Sequence, residues 1–216
     1  MTAANPRPKV PADPPSTLQV DDALHIHLLD EGTWLWRVSF TESPHVLPWN
    51  ELRHYGPVPE NRFDPHPLPL GVHVDEAVMY TALHFSTALA EVFQEHVIDR
   101  FLMGPMITGW PVTRELTLLD LTSNWALVNG AAAAIQMGSK EHTQAWARAI
   151  EDQLGARFDG LYHHSSMNNA PLVTLFARVE TFDAFPKRPG YSKLLRDPGA
   201  RSIITRARHD TGYGVV

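Results

Sequence analysis

The spacing of apolar residues along the chain predicts several short strands. Residues 33–40, TWLWRVSF, put Trp34, Trp36, Val38 and Phe40 on one face, as the two-residue period of a β-strand requires. Arg37 takes the other face of the same strand. Further strands are predicted at residues 24–29, 76–83, 113–121 and 170–179.

Two helices are predicted between these strands. The first runs from Thr87 to Arg100 with Ser86 as its N-cap, and the second covers Lys140 to Leu154 and ends before a glycine. On the first helix Glu91 falls on the polar face, so the pattern alone gives it a solvated position. Since strands and helices mix without a regular βαβ repeat, the predicted fold class is α+β.

The segments outside this pattern divide the chain into three parts. Residues 1–17 are rich in proline and are predicted to be a flexible leader. We expect the main folded domain to cover residues 18–185, with a long proline-rich loop at 41–69 and a polar loop at 159–169. Residues 186–216 form a basic C-terminal extension, which we expect to pack on the body or on a partner subunit by offsetting the acidic surface.

Composition and charge narrow the classes of function. The 216 residues carry a net charge of −6, which does not favour nucleic acid as a direct partner. The chain contains no cysteine, so disulfides and thiolate chemistry are excluded, and a reducing compartment fits. Neither a signal peptide nor an apolar stretch that could span a bilayer is recognised, and we therefore expect a soluble, cytoplasmic protein without a membrane partner.

Several common catalytic and binding motifs are missing from the sequence. The twelve histidines lack familiar metal-ligand spacing and no HExxH motif occurs, so no bound metal is expected. Neither GxGxxG nor GxxxxGK[ST] is present, which argues against standard Rossmann and P-loop nucleotide sites. The lack of GxSxG removes the usual α/β-hydrolase interpretation.

A set of short motifs in a fixed order is the remaining signal. It begins with WRV around Arg37 and NRFDP around Arg62, continues with VMYTALHFSTALAEV, which holds Tyr80 and Glu91, and ends with DGLYHHSS around Ser165. In this order and context the chain resembles the RES domain, a bacterial family named for its Arg, Glu and Ser.

The resemblance spans about residues 34–180 and implies both a fold and a site. The implied fold is ADP-ribosyltransferase-like, with a mixed β core flanked by helices, and the implied substrate is NAD. Matched position by position, the catalytic residues are Glu91, Arg37 and Ser165, and the residues that hold NAD are Arg37, Arg62, Tyr80 and Ser165. The sequence YHHSS leaves open whether Ser165 or Ser166 is the family serine.

The chemistry of NAD cleavage explains why these residue types are needed. Breaking the nicotinamide–ribose bond passes through an oxocarbenium-like cation, which the Glu91 carboxylate can stabilise. The diphosphate of NAD needs cations, and Arg37 and Arg62 can supply bidentate donors. Tyr80 offers a ring for packing against nicotinamide or ribose, and Ser165 offers a hydroxyl for hydrogen bonding.

Three functions stay open at this stage. The resemblance implies an enzyme that destroys NAD by hydrolysis or phosphorolysis, as toxins of toxin–antitoxin pairs do, with a cognate antitoxin that carries a helix-turn-helix region. The same site could instead transfer ADP-ribose to a macromolecule. A third interpretation is a catalytically weak protein of the same fold that binds a nucleotide or a partner. Homo-oligomers are compatible with all three.

Overall fold

The computed structural model describes residues 8–216, so residues 1–7 of the predicted leader lie outside the described residues. The strands are β1 Ile26–Leu29, β2 Trp34–Phe40, β3 Tyr55–Gly56, β4 Gly71–Val72, β5 Val78–Ala82, β6 Val97–Ile98, β7 Pro105–Pro111, β8 Leu116–Asp120, β9 Gly160–His164, β10 Pro171–Phe176, β11 Tyr191–Leu194 and β12 Gly214–Val215. The helices are α1 Asp22–His25, α2 Phe85–Val92, α3 Trp125–Val128, α4 Lys140–Leu154, α5 Arg178–Thr181 and α6 Arg201–Thr211, with short 3-10 helices at Ala133–Met137 and Pro198–Ala200.

One eight-stranded sheet, in the order β1-β8-β9-β10-β5-β2-β7-β11, organises this part of the chain. Strands β8 and β9 run parallel, and the other neighbouring pairs are antiparallel. Helices α2, α4 and α6 pack their apolar residues against one face of the sheet. The other face packs against the one-turn helix α5 and against loop residues such as Leu52 and Ala184. The α+β prediction is therefore confirmed.

Strand β7, the second strand from one edge of the sheet, was not predicted. Its sequence, PMITGWP, has proline at both ends and a glycine in the middle, so it lacks the usual apolar alternation. Gly109 is needed because the ring of Trp36 on β2 lies over it, and a Cβ at that position would come within 2.6 Å of the ring. The glycine in this strand is therefore required by Trp36, a residue far away in sequence.

Strand β9 corrects the prediction of a polar loop at 159–169. Residues Gly160–His164 pair with both β8 and β10 in the centre of the sheet. Buried and less buried residues do alternate in this strand, since Leu161 and His163 are buried. The alternation is not visible in the sequence, because one of the two buried residues is a histidine. The loop begins only after His164.

Helix α2 also differs from its prediction. It ends at Val92 and not at Arg100, because residues 97–98 form β6 and pair with β12 near the C-terminus. Its N-cap is His84, whose side chain accepts a hydrogen bond from the Ser86 amide. Ser86, the predicted cap, is buried, and its hydroxyl donates to Asp210 on α6 at 2.8 Å.

Helix α4 has the predicted bounds, Lys140–Leu154, and packs Trp146 and Ile150 into the core. The last part of the predicted leader runs along this helix without forming a helix or strand. The Trp146 indole donates to the carbonyl of Pro11 at 2.9 Å, and Val10 is buried against the same core.

The basic C-terminal segment is part of the folded body. Strand β11 pairs with β7 at the edge of the main sheet, and α6 packs against α2. Ile203, Ile204 and Ala207 are the buried residues of α6, so its attachment is apolar. The arginines of α6 stay on its exposed side.

Candidate active site

A cavity of about 550 Å³ opens on the sheet beside α2. Strands β2, β5, β9 and β10 supply its floor, the last turn of α2 one wall, and the proline-rich loop another. Its size is that of an ordinary small-molecule site. Of the residues proposed from sequence, the cavity is lined by Arg37, Arg62, Tyr80, Glu91 and Ser166.

Glu91 lies in the last turn of α2, which forms one wall of the cavity. The Ser165 hydroxyl donates a hydrogen bond to Oε1 of Glu91, with 2.5 Å between the oxygens. Ser165 is fully buried, and its oxygen accepts hydrogen bonds from the backbone amides of Met167 at 3.0 Å and Asn168 at 3.3 Å. Because those amides fix the oxygen, its proton points to the carboxylate. Ser165 thus fixes the position of the Glu91 carboxylate.

The neighbouring serine has a different environment. Ser166 is exposed and lines the cavity, and its hydroxyl accepts a hydrogen bond from Nη1 of Arg62 at 3.3 Å. Nε of Arg62 donates to the carbonyl of Gly138 at 3.2 Å, which ties Arg62 to the segment before α4. The two serines of YHHSS therefore have different partners: Ser165 binds the Glu91 carboxylate, and Ser166 binds Arg62.

Arg37 projects from the middle of β2. Its Nη1 donates to the carbonyl oxygens of Glu51 at 3.1 Å and Trp49 at 3.4 Å, and within residues 8–216 no carboxylate lies within ion-pairing distance of it. Burial, with a contribution from the nearby Arg53 cation, lowers the pKa of Arg37 to about 10. The guanidinium remains charged at neutral pH, and carbonyl oxygens alone do not neutralise it.

Arg53 is a cavity residue that sequence reasoning missed. It pairs with Asp64, whose carboxylate is 2.7 Å from Nη2, and its Nη1 donates to the carbonyl of Tyr55. Although burial raises the pKa of Asp64, hydrogen bonds from His66, the Val58 amide and Arg53 outweigh it and lower that pKa to about 2. Arg53 lies in the proline-rich loop, where no periodic pattern indicates the direction of a side chain, so Arg53 could not be identified from sequence.

Tyr80 lies on β5 in the cavity floor. Its hydroxyl is buried and has no hydrogen-bond partner among the described residues. Burial, reinforced by the Asp64 charge, raises the pKa of Tyr80 above its ordinary value, so the phenol stays neutral. Tyr80 therefore offers a ligand both the face of its ring and a hydroxyl that forms no hydrogen bond within the described residues.

The cavity is basic although the protein as a whole is acidic. Four lining residues are cationic, namely Arg37, Arg53, Arg62 and Lys140, and two are acidic, namely Glu60 and Glu91. Lys140 is the first residue of α4, so the positive end of that helix dipole adds to the potential. An anion such as a diphosphate would be attracted here, while Glu91 provides one local negative charge.

Two further properties bear on ligands and membranes. Within residues 8–216, no three His, Asp or Glu side chains are grouped closely enough to hold a metal ion. The same part of the chain has no helix of the length and apolarity needed to cross a membrane.

Comparison with known proteins places this site in a family. Residues 35–197 match the RES domain. The fold is similar to a chain of the Mycobacterium tuberculosis MbcT–MbcA toxin–antitoxin complex, with a TM-score of 0.55 and 15% identity over 80% of this chain and 87% of that one. No curated protein matches. The predicted mixed β core flanked by helices is confirmed, and the chain belongs to the RES domain family.

Proposed function

We propose that this protein is an enzyme that cleaves the nicotinamide–ribose bond of NAD. The observation that carries the proposal is the Glu91 carboxylate, held by Ser165 inside a cavity that is otherwise rich in cations. NAD carries an anionic diphosphate and, at the bond to be broken, a ribose that becomes cationic. A cavity with several guanidinium groups and one positioned carboxylate is complementary to both charges.

The reaction needs no oxidant or metal. The bond between ribose C1′ and the nicotinamide nitrogen breaks, and its electron pair leaves with nicotinamide. Glu91 stabilises the ribosyl cation while it exists. Water then forms a bond to C1′ and loses a proton, which gives ADP-ribose, or a phosphate oxygen forms that bond and gives the phosphorylated sugar.

Arg37, Arg53 and Arg62 are proposed to hold the diphosphate. Arg37 offers a charge that carbonyl oxygens leave uncompensated. Within residues 8–216, Arg62 forms hydrogen bonds only with neutral oxygens. The planar guanidinium fork suits phosphate oxygens better than a point charge does. Tyr80 is proposed to pack against the nicotinamide or the adjoining ribose.

The biological role that we propose is that of a toxin in a toxin–antitoxin pair, acting in the cytoplasm. Family membership supports it, as does the fold shared with a chain from a complex described as toxin–antitoxin. The partner would then be an antitoxin, with a helix-turn-helix region of its own, that covers the cavity until it is removed. In that arrangement the toxin would deplete NAD only when it is free.

Product analysis tests the proposal directly. The pure protein is incubated with NAD, with and without phosphate, and nicotinamide, ADP-ribose, its phosphate ester and labelled protein are quantified. We expect free nicotinamide together with ADP-ribose or its phosphate ester. Label that accumulates on protein in proportion to nicotinamide would indicate transfer to a macromolecule, and the absence of nicotinamide release would contradict the proposed activity.

A further inference from the structure

A row of polar side chains crosses the cavity floor on three neighbouring strands. Tyr80 on β5 stands opposite Thr174 on β10, and Leu172, two residues earlier on β10, stands opposite His163 on β9. Cross-strand partners and residues two apart point to the same face of a sheet. Tyr80, Thr174 and His163 therefore share the cavity face, and all three line the cavity.

His163 is the most deeply buried polar residue of this row that lacks a full set of partners. It is 7% exposed, and its Nε2 shares a hydrogen bond with Oγ1 of Thr174, 2.9 Å away. Its other ring nitrogen, Nδ1, is buried without a hydrogen-bond partner among residues 8–216. A buried polar atom left in this state destabilises a protein unless a ligand or water satisfies it.

The imidazole is neutral in this environment. Burial, with a contribution from the Arg62 charge, lowers the pKa of His163 to about 4. A neutral ring does not bind a phosphate by charge, and it does not repel the positive pyridinium of NAD. Depending on which nitrogen carries the proton, Nδ1 can donate or accept one hydrogen bond.

The surroundings of His163 suit a flat ring better than a flexible sugar. The Phe63 ring is fully buried, with its centroid 5.0 Å from that of His163, and the ring of Tyr80 lies on the same floor. Nicotinamide is an aromatic ring with a carboxamide, which carries both a donor and an acceptor and so fits either tautomer of the imidazole.

We propose that His163 is a substrate-binding residue that recognises the carboxamide of nicotinamide, with Thr174 as the residue that orients its ring. This inference rests on the proposed function, because it takes a nicotinamide nucleotide as the ligand. It adds a specificity-determining contact that lies outside the Arg, Tyr, Glu and Ser positions discussed above. ADP-ribose, which lacks nicotinamide, should not depend on His163.

The test compares two ligands on the same variants. Affinities for NAD and for ADP-ribose are measured by calorimetry in the Glu91→Gln protein, where turnover is slow, and again with His163→Phe added. We expect His163→Phe to weaken NAD binding by roughly tenfold, as the loss of one buried hydrogen bond predicts, and to leave ADP-ribose binding within about twofold. His163→Gln, which keeps a neutral donor and acceptor, should lose less NAD affinity and guards against a folding defect of the Phe variant.

The outcomes separate this inference from the proposed function. Equal losses for both ligands, or no loss for NAD, would overturn the role of His163 while NAD cleavage by the wild type still stood. Selective loss of NAD binding, in a protein whose wild type releases no nicotinamide, would keep the binding role and reject the activity. Absence of NAD binding to every form, the wild type included, would reject both.

Discussion

The hydroxyl of Ser165 donates to the carboxylate of Glu91 across 74 residues of sequence, and this contact joins the loop after β9 to the end of α2. Ser165→Ala should remove the bond and leave two backbone amides without their acceptor. We expect a loss of about 1–3 kcal/mol in the free energy of unfolding and a fall in kcat for NAD of roughly tenfold, with KM changed less. Denaturant titration and steady-state kinetics measure the two effects.

Ser166→Ala is the matched comparison for this variant. Ser166 is exposed and accepts a hydrogen bond from Arg62 at 3.3 Å. Its replacement should therefore change the free energy of unfolding by less than about 0.5 kcal/mol and raise KM for NAD. A larger fall in kcat for Ser166→Ala than for Ser165→Ala would reverse the roles given to the two serines.

Glu91→Gln keeps the size of the side chain and removes its charge. If the carboxylate stabilises a ribosyl cation, NAD cleavage should fall by roughly a hundredfold or more, the effect of about 3 kcal/mol of transition-state stabilisation. NAD binding should change far less, since the cation exists only near the transition state. Release of nicotinamide and calorimetric binding report these separately.

Glu95→Gln serves as the control for the charge change, since Glu95 is exposed and does not line the cavity. In bacteria, expression of the wild type and of Glu95→Gln should lower NAD and slow growth, and Glu91→Gln should do neither. A folded Glu91→Gln protein that cleaves NAD at the wild-type rate would contradict the proposed mechanism.

Arg37 and Arg62 should each be needed for the use of NAD. Replacement of either by alanine is expected to raise KM by at least tenfold, because a guanidinium–phosphate pair is lost, and lysine should restore only part of the loss because it lacks the planar fork. Arg196→Ala is the control, because Arg196 does not line the cavity and forms an exposed pair with Glu42. Unchanged kinetics in both cavity variants would remove the diphosphate assignment.

The C-terminal helix α6 is held by apolar contacts, so salt should matter little to its attachment. Ile204 is 7% exposed, and its replacement by alanine should lower the free energy of unfolding by about 3 kcal/mol. Alanine at the exposed Thr205 should lower it by less than about 0.5 kcal/mol. Thermal unfolding at low and high salt measures both. A strong decrease of the Ile204→Ala effect with salt would instead favour attachment by charge.

Glu151 gives a prediction about pH. Burial, with the nearby Glu76 charge, raises the pKa of Glu151 to about 7, and its Oε2 has no hydrogen-bond partner among the described residues. The folded protein holds this proton more tightly than the unfolded chain, so the free energy of unfolding should fall as pH rises from about 4.5 to about 7.

Glu151→Gln should remove this decrease and stabilise the protein at pH 8 relative to the wild type. Denaturant titrations at pH 4.5 and pH 8 provide the comparison, and Asp152→Asn, at an exposed position, controls for the loss of one negative charge. Parallel pH profiles for Glu151→Gln and the wild type would contradict the buried carboxyl.

The sequence by itself determined the elements with a regular pattern. The alternation of TWLWRVSF placed β2, and the cap and apolar spacing around Lys140–Leu154 placed α4 with its bounds. The order of the motifs around Arg37, Arg62 and Glu91 predicted the family. These features are encoded locally, since each depends on residues within a turn or two of one another or on short motifs.

Only the tertiary structure decided which of these residues meet. On a helical wheel Glu91 is a solvated residue. In the structure the last turn of α2 forms a cavity wall, and Ser165, in the loop after β9, binds the Glu91 carboxylate. Arg53 and His163 could not be found from pattern, since one lies in an aperiodic loop and the other is a polar residue in a buried strand. Their positions depend on contacts between segments far apart in sequence, which no local period records.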